Sequence, residues 1–105
     1  MKMIKQQMLA IVCAGGLVLP TAFAHAEADK QGRNLAASCA ACHGTDGRST
    51  GGMPILAGID KGLFVIAMKD FKSGARPATV MHHHAKGYND KEFEKLAEYF
   101  AAQKR

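Results

Sequence analysis

The 105-residue sequence predicts a small all-α domain. In three segments, apolar or small residues recur with the i, i+3, i+4 and i+7 spacing of an amphipathic helix. These segments are Gly32–Cys39, Phe64–Phe71 and Phe93–Phe100. No segment alternates apolar and polar residues as a half-buried strand does, so short helices are the elements that the pattern favours.

Residues 1–26 resemble a secretory signal peptide. Lys2 and Lys5 give it a positive start, and an apolar run of 12 residues follows from Met8 to Leu19. The small residues of Ala24-His25-Ala26 form a cleavage site, with a second possible site at Ala22-Phe23-Ala24. The apolar run is shorter than the about 20 residues that span a bilayer. We therefore expect export and cleavage rather than the alternative, an uncleaved membrane anchor.

Cleavage after Ala26 leaves one domain of 79 residues, 27–105. Without Lys2 and Lys5 it carries 12 Lys and Arg against 9 Asp and Glu. This small positive charge, with no basic run interleaved with aromatic residues, argues against a nucleic-acid partner. So short a chain buries little surface alone, and we expect a bound group to form part of its core.

Cys39, Cys42 and His43 form a C-x-x-C-H motif where the first helical segment ends. Two thiols three residues apart on a helical turn can each add to a vinyl group of one porphyrin. The histidine that follows them can bind the iron as its proximal ligand. The motif therefore predicts one covalently bound haem c, which also agrees with export from the cytoplasm.

Two other kinds of site use closely spaced cysteines. A thioredoxin-type redox pair normally accompanies a βαβ pattern, which the sequence lacks. A zinc site would need further ligands at metal-binding spacing. Haem attachment is the interpretation that the motif favours over both.

The middle and last helices have residues typical of helix ends. Asp60 can cap the start of the middle helix, and Gly74 can end it. Asn89 and Glu92 have the spacing of a capping box at the start of the last helix. The loop between the first and middle helices holds five glycines, as expected of a chain that passes close to a flat macrocycle.

Four features together resemble a small class I cytochrome c over nearly the whole mature chain. They are Gly-x-x-Leu ahead of Cys-x-x-Cys-His-Gly, a Pro-x-Leu-x-Gly loop at Pro54 to Gly58, a methionine well downstream, and a last helix that ends Leu-Ala-Glu-Tyr-Phe. The segments Phe71 to Met81 and Ala85 to Asp90 are similar to the cytochrome subunit of flavocytochrome c sulfide dehydrogenase and its single-haem relatives. The resemblance implies a class I cytochrome c fold, with three to four short helices around one covalently bound haem.

The haem iron needs a distal ligand, and Met53, Met68 and Met81 are the methionines left after cleavage. Met68 belongs to the apolar face of the middle helix, where methionine usually fills the core. By the resemblance, the Pro54 carbonyl accepts a hydrogen bond from the His43 ring, which puts Met53 on the proximal side. Met81 occupies the position of the family's distal ligand, where a thioether favours ferrous iron.

Three histidines, His82, His83 and His84, follow Met81 directly. We expect them to form a solvated and partly titrating surface. Two alternatives stay open: the binding of a second metal ion, and the replacement of Met81 as the iron ligand.

Arg76 and Tyr99 each have two interpretations. Arg76 can bind a haem propionate through its planar guanidinium, or it is a solvated loop residue. By the resemblance, Gly32 lets the first helix approach the last, and the Tyr99-Phe100 pair packs over that gap. The alternative for Tyr99 is an electron relay.

These features predict a periplasmic electron-transfer protein without stable membrane insertion, rather than an enzyme. The mature chain has no cysteine beyond the haem pair, no Ser/His/Asp arrangement and no paired carboxylates at a recognisable site. The resemblance implies redox-protein partners, among them a flavoprotein that oxidises sulfide and for which this chain would be the haem subunit. The alternatives are a freely diffusing general carrier and a ligand sensor whose distal site is open.

Overall fold

The computed structural model describes residues 15–16 and 30–105. Apart from Gly15 and Gly16, the predicted signal peptide and both of its cleavage sites lie outside the described residues. Every regular element in the described ranges is helical, which confirms the predicted all-α class. None of the helices found there is both long enough and apolar enough to cross a membrane.

Four helices make up the described fold. The first, α1, covers residues 30–43 and runs from an α-helix through a 3-10 turn, Ala37–Cys39, into a last α-helical turn, Ala40–His43. The others are α2 (Lys61–Ser73), α3 (Met81–Ala85) and α4 (Asp90–Ala101). A short 3-10 helix, Thr45–Gly47, lies in the loop between α1 and α2.

The predicted helix ends are confirmed. The Asp60 side chain accepts a hydrogen bond from the backbone N–H of Leu63 at 3.0 Å, and Gly74 ends α2 with a left-handed φ of 84°. At the start of α4, the Glu92 N–H donates to the Asn89 side chain at 2.9 Å, and the Asn89 N–H donates to the Glu92 carboxylate at 3.3 Å. These bonds satisfy amides that have no partner within their own helix.

The core lies where α2 and α4 pack together. Phe93, Leu96 and Phe100 of α4 are fully buried, and the ring of Phe64 on α2 lies 5.7 Å from that of Phe100. The same helix, α2, also packs against α3. Because α2 has neighbours on two sides, it fixes the position of α3, which begins at Met81.

The close approach of α1 to α4 occurs at Gly32. A Cβ atom placed on Gly32 would lie 3.0 Å from the Cβ of Tyr99 and 3.1 Å from the carbonyl oxygen of Lys95. The Tyr99 and Phe100 rings meet edge to face, with centroids 5.3 Å apart. The packing predicted for Gly32 and the aromatic pair is confirmed.

The sequence pattern did not predict α3 as an element. It has five residues, which are too few to show a helical period, and its N-cap residue, Val80, makes no side-chain cap. The helix contains all three consecutive histidines and puts Met81 in its first turn.

Candidate functional site

The C-x-x-C-H motif occupies the last turns of α1. The helix ends after His43 because Gly44 takes a φ of 82°, which residues with a side chain rarely adopt. A Cβ atom at Gly44 would also lie 2.7 Å from the carbonyl oxygen of Arg48. Only a glycine allows the chain to turn back this tightly behind the motif.

One hydrogen bond fixes the His43 ring. The residue is 9% exposed, and its Nδ1 lies 2.8 Å from the carbonyl oxygen of Pro54. A carbonyl oxygen can only accept, so Nδ1 carries the proton and donates it. This bond was predicted from the family resemblance and is confirmed. It leaves Nε2 as the ring nitrogen whose lone pair is free for a metal.

A cleft of about 360 Å³ opens beside this ring. His43, α2 and the segment that leads into α3 all contribute to its walls. The lining is mostly apolar and includes Leu56, Phe64, Ala67, Phe71 and Pro77. Its polar side chains are His43, Arg76 and Thr79.

All three candidate methionines line the cleft. Met68 is 5% exposed and belongs to the hydrophobic core, which confirms the role predicted for it. Met53 is 42% exposed and precedes Pro54, the residue that holds His43. Met81 is half-buried in the first turn of α3. The structure thus brings His43 and Met81 to the same cleft, as the sequence prediction of an axial pair requires.

The three histidines after Met81 are not among the described residues that line the cleft. His83 and His84 are exposed, as predicted for a solvated surface. His82 is half-buried at a second pocket, which it shares with Lys72 and Lys86. Desolvation, reinforced by the positive charges of His83 and Lys86, lowers the pKa of His82. Within residues 30–105, no three His, Cys, Asp or Glu side chains are grouped so that they could hold a metal ion.

The two cysteines of the motif differ in their surroundings. Cys39 is half-buried against the core, whereas Cys42 is exposed. Burial raises the pKa of the Cys39 thiol, and a hydrogen bond with Ser38 opposes the rise. Neither side chain forms part of the cleft lining, but both precede His43 on the same helical turns.

Arg76 lies at the edge of the cleft. Its side chain lines both the cleft and the second pocket, and its guanidinium carbon lies 5.3 Å from the centroid of the Phe71 ring. The backbone N–H of Arg76 donates to the carbonyl of Asp70 at 3.2 Å. An arginine held here can bind a carboxylate of a group that occupies the cleft.

Sequence reasoning missed Asp46 as a residue of this region. It is the one non-glycine residue with a positive φ in the described ranges, at 52°. Its carboxylate accepts hydrogen bonds from the Tyr99 hydroxyl and, at 3.1 Å, from Arg48. No motif marks an aspartate in a glycine-rich loop. The available signal was only that aspartate tolerates the left-handed conformation better than most residues.

The cleft fits the haem that the motif predicts. A buried histidine with one free ring nitrogen and a methionine thioether are donors that haem iron takes in proteins. The apolar lining reaches the surface at Met53 and Val80, which are 42% and 45% exposed. A largely apolar macrocycle would cover these side chains. The two cysteines precede the histidine on the same helical turns.

A family model and three similar proteins give the same indication. The family model for cytochrome c matches residues 30–104. The chain is similar to the cytochrome subunit of sulfide dehydrogenase from Chlorobaculum tepidum, with 46% identity over 72 residues, which are 69% of this chain and 66% of the relative. A thiosulfate dehydrogenase electron acceptor from Stutzerimonas stutzeri is 44% identical over 69 residues, 63% of this chain and 32% of the relative. A cytochrome c4 from Pseudomonas aeruginosa is 38% identical over 86 residues, 80% of this chain and 43% of the relative. The matched region spans about two thirds of the first relative's length and less than half of the other two.

Proposed function

This chain belongs to the cytochrome c family, and on that premise we propose that it carries single electrons between redox proteins through one covalently bound haem. The observation that carries the proposal is the buried His43 ring, whose Nδ1 is tied to Pro54 and whose Nε2 is free, beside a cleft that Met81 also lines. Haem c is the cofactor of this family.

Four residues hold the cofactor in this proposal. Cys39 and Cys42 form the two thioether bonds, His43 is the proximal ligand, and Met81 is the distal ligand. The Pro54 carbonyl fixes the tautomer and the orientation of the His43 ring, as acceptors behind metal-bound histidines commonly do. The apolar residues of the cleft would limit the access of water to a haem bound there.

When bound, the haem supplies one iron that alternates between the ferric and ferrous states. If His43 and Met81 both bind the iron, neither side of the haem would offer an open site for a substrate. The thioether of Met81 favours the ferrous state more than a second imidazole would. The residues therefore suit electron transfer rather than ligand binding.

Carbon monoxide binding tests this function. The reduced protein, purified with its haem, should bind carbon monoxide slowly and in less than stoichiometric amount, because Met81 must first leave the iron. A redox titration of the same sample should be reversible with one electron per chain. Rapid, stoichiometric binding would instead support a ligand sensor with an open distal site.

The proposal places the protein in the periplasm after cleavage of residues 1–26. Its support is the positive start, the 12-residue apolar run and the small-x-small site, all of which lie in the sequence ahead of the haem domain. Fractionation of the producing cells, followed by sequencing of the mature amino terminus, should find a chain that begins at Glu27 or nearby. A cytoplasmic chain that retains Met1 would contradict this location.

The electron donor in this proposal is a flavoprotein that oxidises sulfide. Its support is the similarity to the Chlorobaculum sulfide dehydrogenase subunit, together with the resemblance of Phe71 to Met81 and Ala85 to Asp90 to that group. Native purification should yield this chain with a flavoprotein, and sulfide should reduce the haem only when that protein is present.

A general carrier is the second candidate, because the chain also matches cytochromes whose names state no particular donor, among them a cytochrome c4. A monomer that several unrelated donors reduce equally well would support that role. A sample reduced through a thiosulfate-oxidising protein, but not through a sulfide-oxidising one, would instead point to the function in the name of the Stutzerimonas relative.

A further inference from the structure

Asp46 is held in an unusual backbone conformation by two side chains. Its φ and ψ are 52° and 27°, in the left-handed region that residues with a side chain rarely occupy. The Tyr99 hydroxyl donates to Oδ1, and Nη2 of Arg48 donates to Oδ2 at 3.1 Å. Arg48 is in turn held by the carbonyl of Lys104, at 3.0 Å from Nη1. The two side chains that bind the Asp46 carboxylate therefore connect it to the end of the chain. Tyr99 belongs to α4, and Arg48 is hydrogen-bonded to Lys104, which follows α4.

Tyr99 is the buried one of the two side chains that bind the Asp46 carboxylate. It lies on the buried face of α4, whereas Arg48 is exposed. Burial, reinforced by the hydrogen bond and charge of Asp46, raises the pKa of the Tyr99 hydroxyl. The hydroxyl therefore keeps its proton at neutral pH and donates it to Asp46.

Gly47, the residue after Asp46, connects the hydrogen bonds of Asp46 to the loop before α2. Its carbonyl accepts two hydrogen bonds, from the N–H groups of Leu56 at 2.9 Å and of Ala57 at 3.1 Å. Gly47 is buried, and a Cβ atom on it would lie 2.8 Å from the Cβ of Leu56. The two loop segments are consequently in direct backbone contact, too close together for a side chain at position 47.

Pro54 lies on the segment that Gly47 holds. It is two residues before Leu56, and its carbonyl is the acceptor for Nδ1 of His43 at 2.8 Å. A continuous series of contacts thus joins the Tyr99 hydroxyl, through the Asp46 carboxylate and the Gly47 carbonyl, to the hydrogen bond behind the His43 ring.

We propose that Tyr99 and Asp46 are positioning residues, which hold the Pro54 carbonyl against Nδ1 of His43 and so set how strongly that carbonyl polarises the ring. The proposal rests on the proposed role of His43 as an axial ligand. A stronger hydrogen bond at Nδ1 makes the ring a better electron donor at Nε2, and groups of this kind behind metal-bound histidines tune the metal. Loss of the restraint should weaken the bond and favour the ferrous state.

The experiment replaces Tyr99 by phenylalanine in the haem-loaded protein. Tyr99→Phe removes only the hydroxyl, keeps the ring that packs at Gly32, and does not change the formal charge. In the ferrous protein, exchange of the His43 Nδ1 proton with solvent should be about tenfold faster by NMR, a factor comparable to the net effect of one lost hydrogen bond. The reduction potential should rise at the same time.

Tyr88→Phe is the matched control. The Tyr88 hydroxyl lies 3.0 Å from Oγ of Ser38 and donates to the carbonyl of Leu35 at 3.3 Å, so it also ties a later part of the chain to α1. It makes no hydrogen bond to the loop that holds Pro54. Tyr88→Phe should destabilise the fold to a similar extent but leave proton exchange at His43 and the reduction potential unchanged.

Two substitutions at Asp46 add an independent measure. Asp46→Asn keeps an oxygen acceptor and a side chain that tolerates the left-handed conformation, so its exchange rate should stay closer to the wild type than that of Asp46→Ala. The proposal is overturned if Tyr99→Phe and Asp46→Ala both exchange within about twofold of the wild type at an unchanged potential. It is also overturned if Tyr88→Phe has the same effects as Tyr99→Phe.

A wrong assignment of His43 as the iron ligand would give a different result from a wrong positioning role. If the wild-type ferrous protein shows no His43 Nδ1 signal shifted by the haem ring current, then His43 is not the axial ligand. That outcome overturns the ligand assignment itself, and the positioning role with it.

Discussion

His43 shows how much of the site depends on a single buried side chain. The motif supplies the histidine, but its orientation and tautomer come from the Pro54 carbonyl, 11 residues further along the chain. Because the ring has only two nitrogens, fixing the proton on Nδ1 leaves Nε2 as the nitrogen with a free lone pair. The same logic does not select the distal ligand, since three methionines line the cleft.

Substitution of Met81 tests the distal assignment. Met81→Ala should abolish the charge-transfer absorption band that is characteristic of ferric iron bound to methionine sulfur. The triple substitution of His82, His83 and His84 by asparagine should retain the band, because these histidines do not contribute to the described cleft lining. The measurement is the absorption spectrum of the oxidised protein. Loss of low-spin iron in the triple variant, with Met81→Ala unaffected, would reverse the assignment and indicate bis-histidine ligation.

The buried Tyr99 hydroxyl should make the folded protein less stable at alkaline pH. Burial and Asp46 raise its pKa in the folded state, whereas the unfolded chain titrates near the usual value of about 10. The stability that the protonated hydroxyl contributes is therefore fully present below about pH 10 and is lost as the pH rises through the raised pKa. Between about pH 9 and pH 11.5, the free energy of unfolding should fall more in the wild type than in Tyr99→Phe.

Denaturant titrations followed by far-UV circular dichroism measure this difference. Tyr88→Phe is the comparison variant. As the pH rises over the same range, its free energy of unfolding should fall as much as that of the wild type. Parallel curves for the wild type and Tyr99→Phe would show that Tyr99 does not carry the effect.

Among the single residues of the site, the sequence identifies those that belong to a short local motif. The spacing of Cys39, Cys42 and His43 is a short-range signal, so the attachment residues can be proposed without a structure. Asp46 has no such signal, because its hydrogen bond with Tyr99 joins residues that are 53 positions apart. Long-range pairings of this kind depend on the packing of α1 against α4 and cannot be read from a single sequence.

The helices owe their boundaries to a few capping groups. Asp60, Gly74 and Asn89 each satisfy backbone groups that the helix leaves without partners, and all three could be identified from their position beside a periodic segment. The helix α3 lacks both signals, since it has five residues and no side-chain cap. Packing against α2 stabilises it, and that contact is tertiary.

Removal of the capping box should destabilise α4. Asn89→Ala takes away the acceptor for the Glu92 N–H and should lower the free energy of unfolding by about 1 kcal/mol. Asn34→Ala, at an exposed position of α1, is the control and should stay within about 0.5 kcal/mol of the wild type. Chemical denaturation of the haem-loaded protein provides both values. Equal effects of the two substitutions would mean that the capping box contributes nothing.

A side chain at Gly32 should force α1 away from α4. Gly32→Val places a Cβ atom 3.0 Å from that of Tyr99, and overpacking of this kind costs about 1–3 kcal/mol. Gly51→Val is a suitable control, because no atom lies within 4 Å of its added Cβ. The midpoint of thermal unfolding should fall for Gly32→Val and change little for Gly51→Val. The reverse order would contradict the assigned helix contact.

At the scale of the whole molecule, the described protein is built around two apolar regions. The core between α2 and α4 contains the fully buried residues Phe93, Leu96 and Phe100. The cleft beside it is also apolar but is open to the surface at Met53 and Val80. Short helices bury too little surface alone, so a group that fills the cleft completes the core as well as supplying the chemistry.

The sequence could predict this arrangement only in outline. Helical periodicity gave three of the four helices, and the motif gave the cofactor, because both are local patterns. The shape of the cleft could not be predicted in the same way, since it combines His43, α2 and the segment before α3. These parts are distant in sequence and come together through the packing of α2 against α3 and α4.

Loss of the attached haem should therefore unfold much of the chain. Cys42→Ala, which leaves one thiol for attachment, should yield little haem-loaded protein and a weak helical signal by far-UV circular dichroism. Thr50→Ala, an exposed loop substitution, should leave both unchanged. A haem-free Cys42→Ala protein that unfolds cooperatively with full helical content would show that the cofactor is not part of the core.

Peptide mapping of the purified native protein by mass spectrometry tests the central claim most directly. We expect one haem per chain that resists acid-acetone extraction, and fragmentation should place it on the peptide that contains Cys39, Cys42 and His43 through bonds to both cysteines. Haem that acid-acetone removes, or a native chain that carries a Cys39–Cys42 disulfide and no haem, would contradict the account.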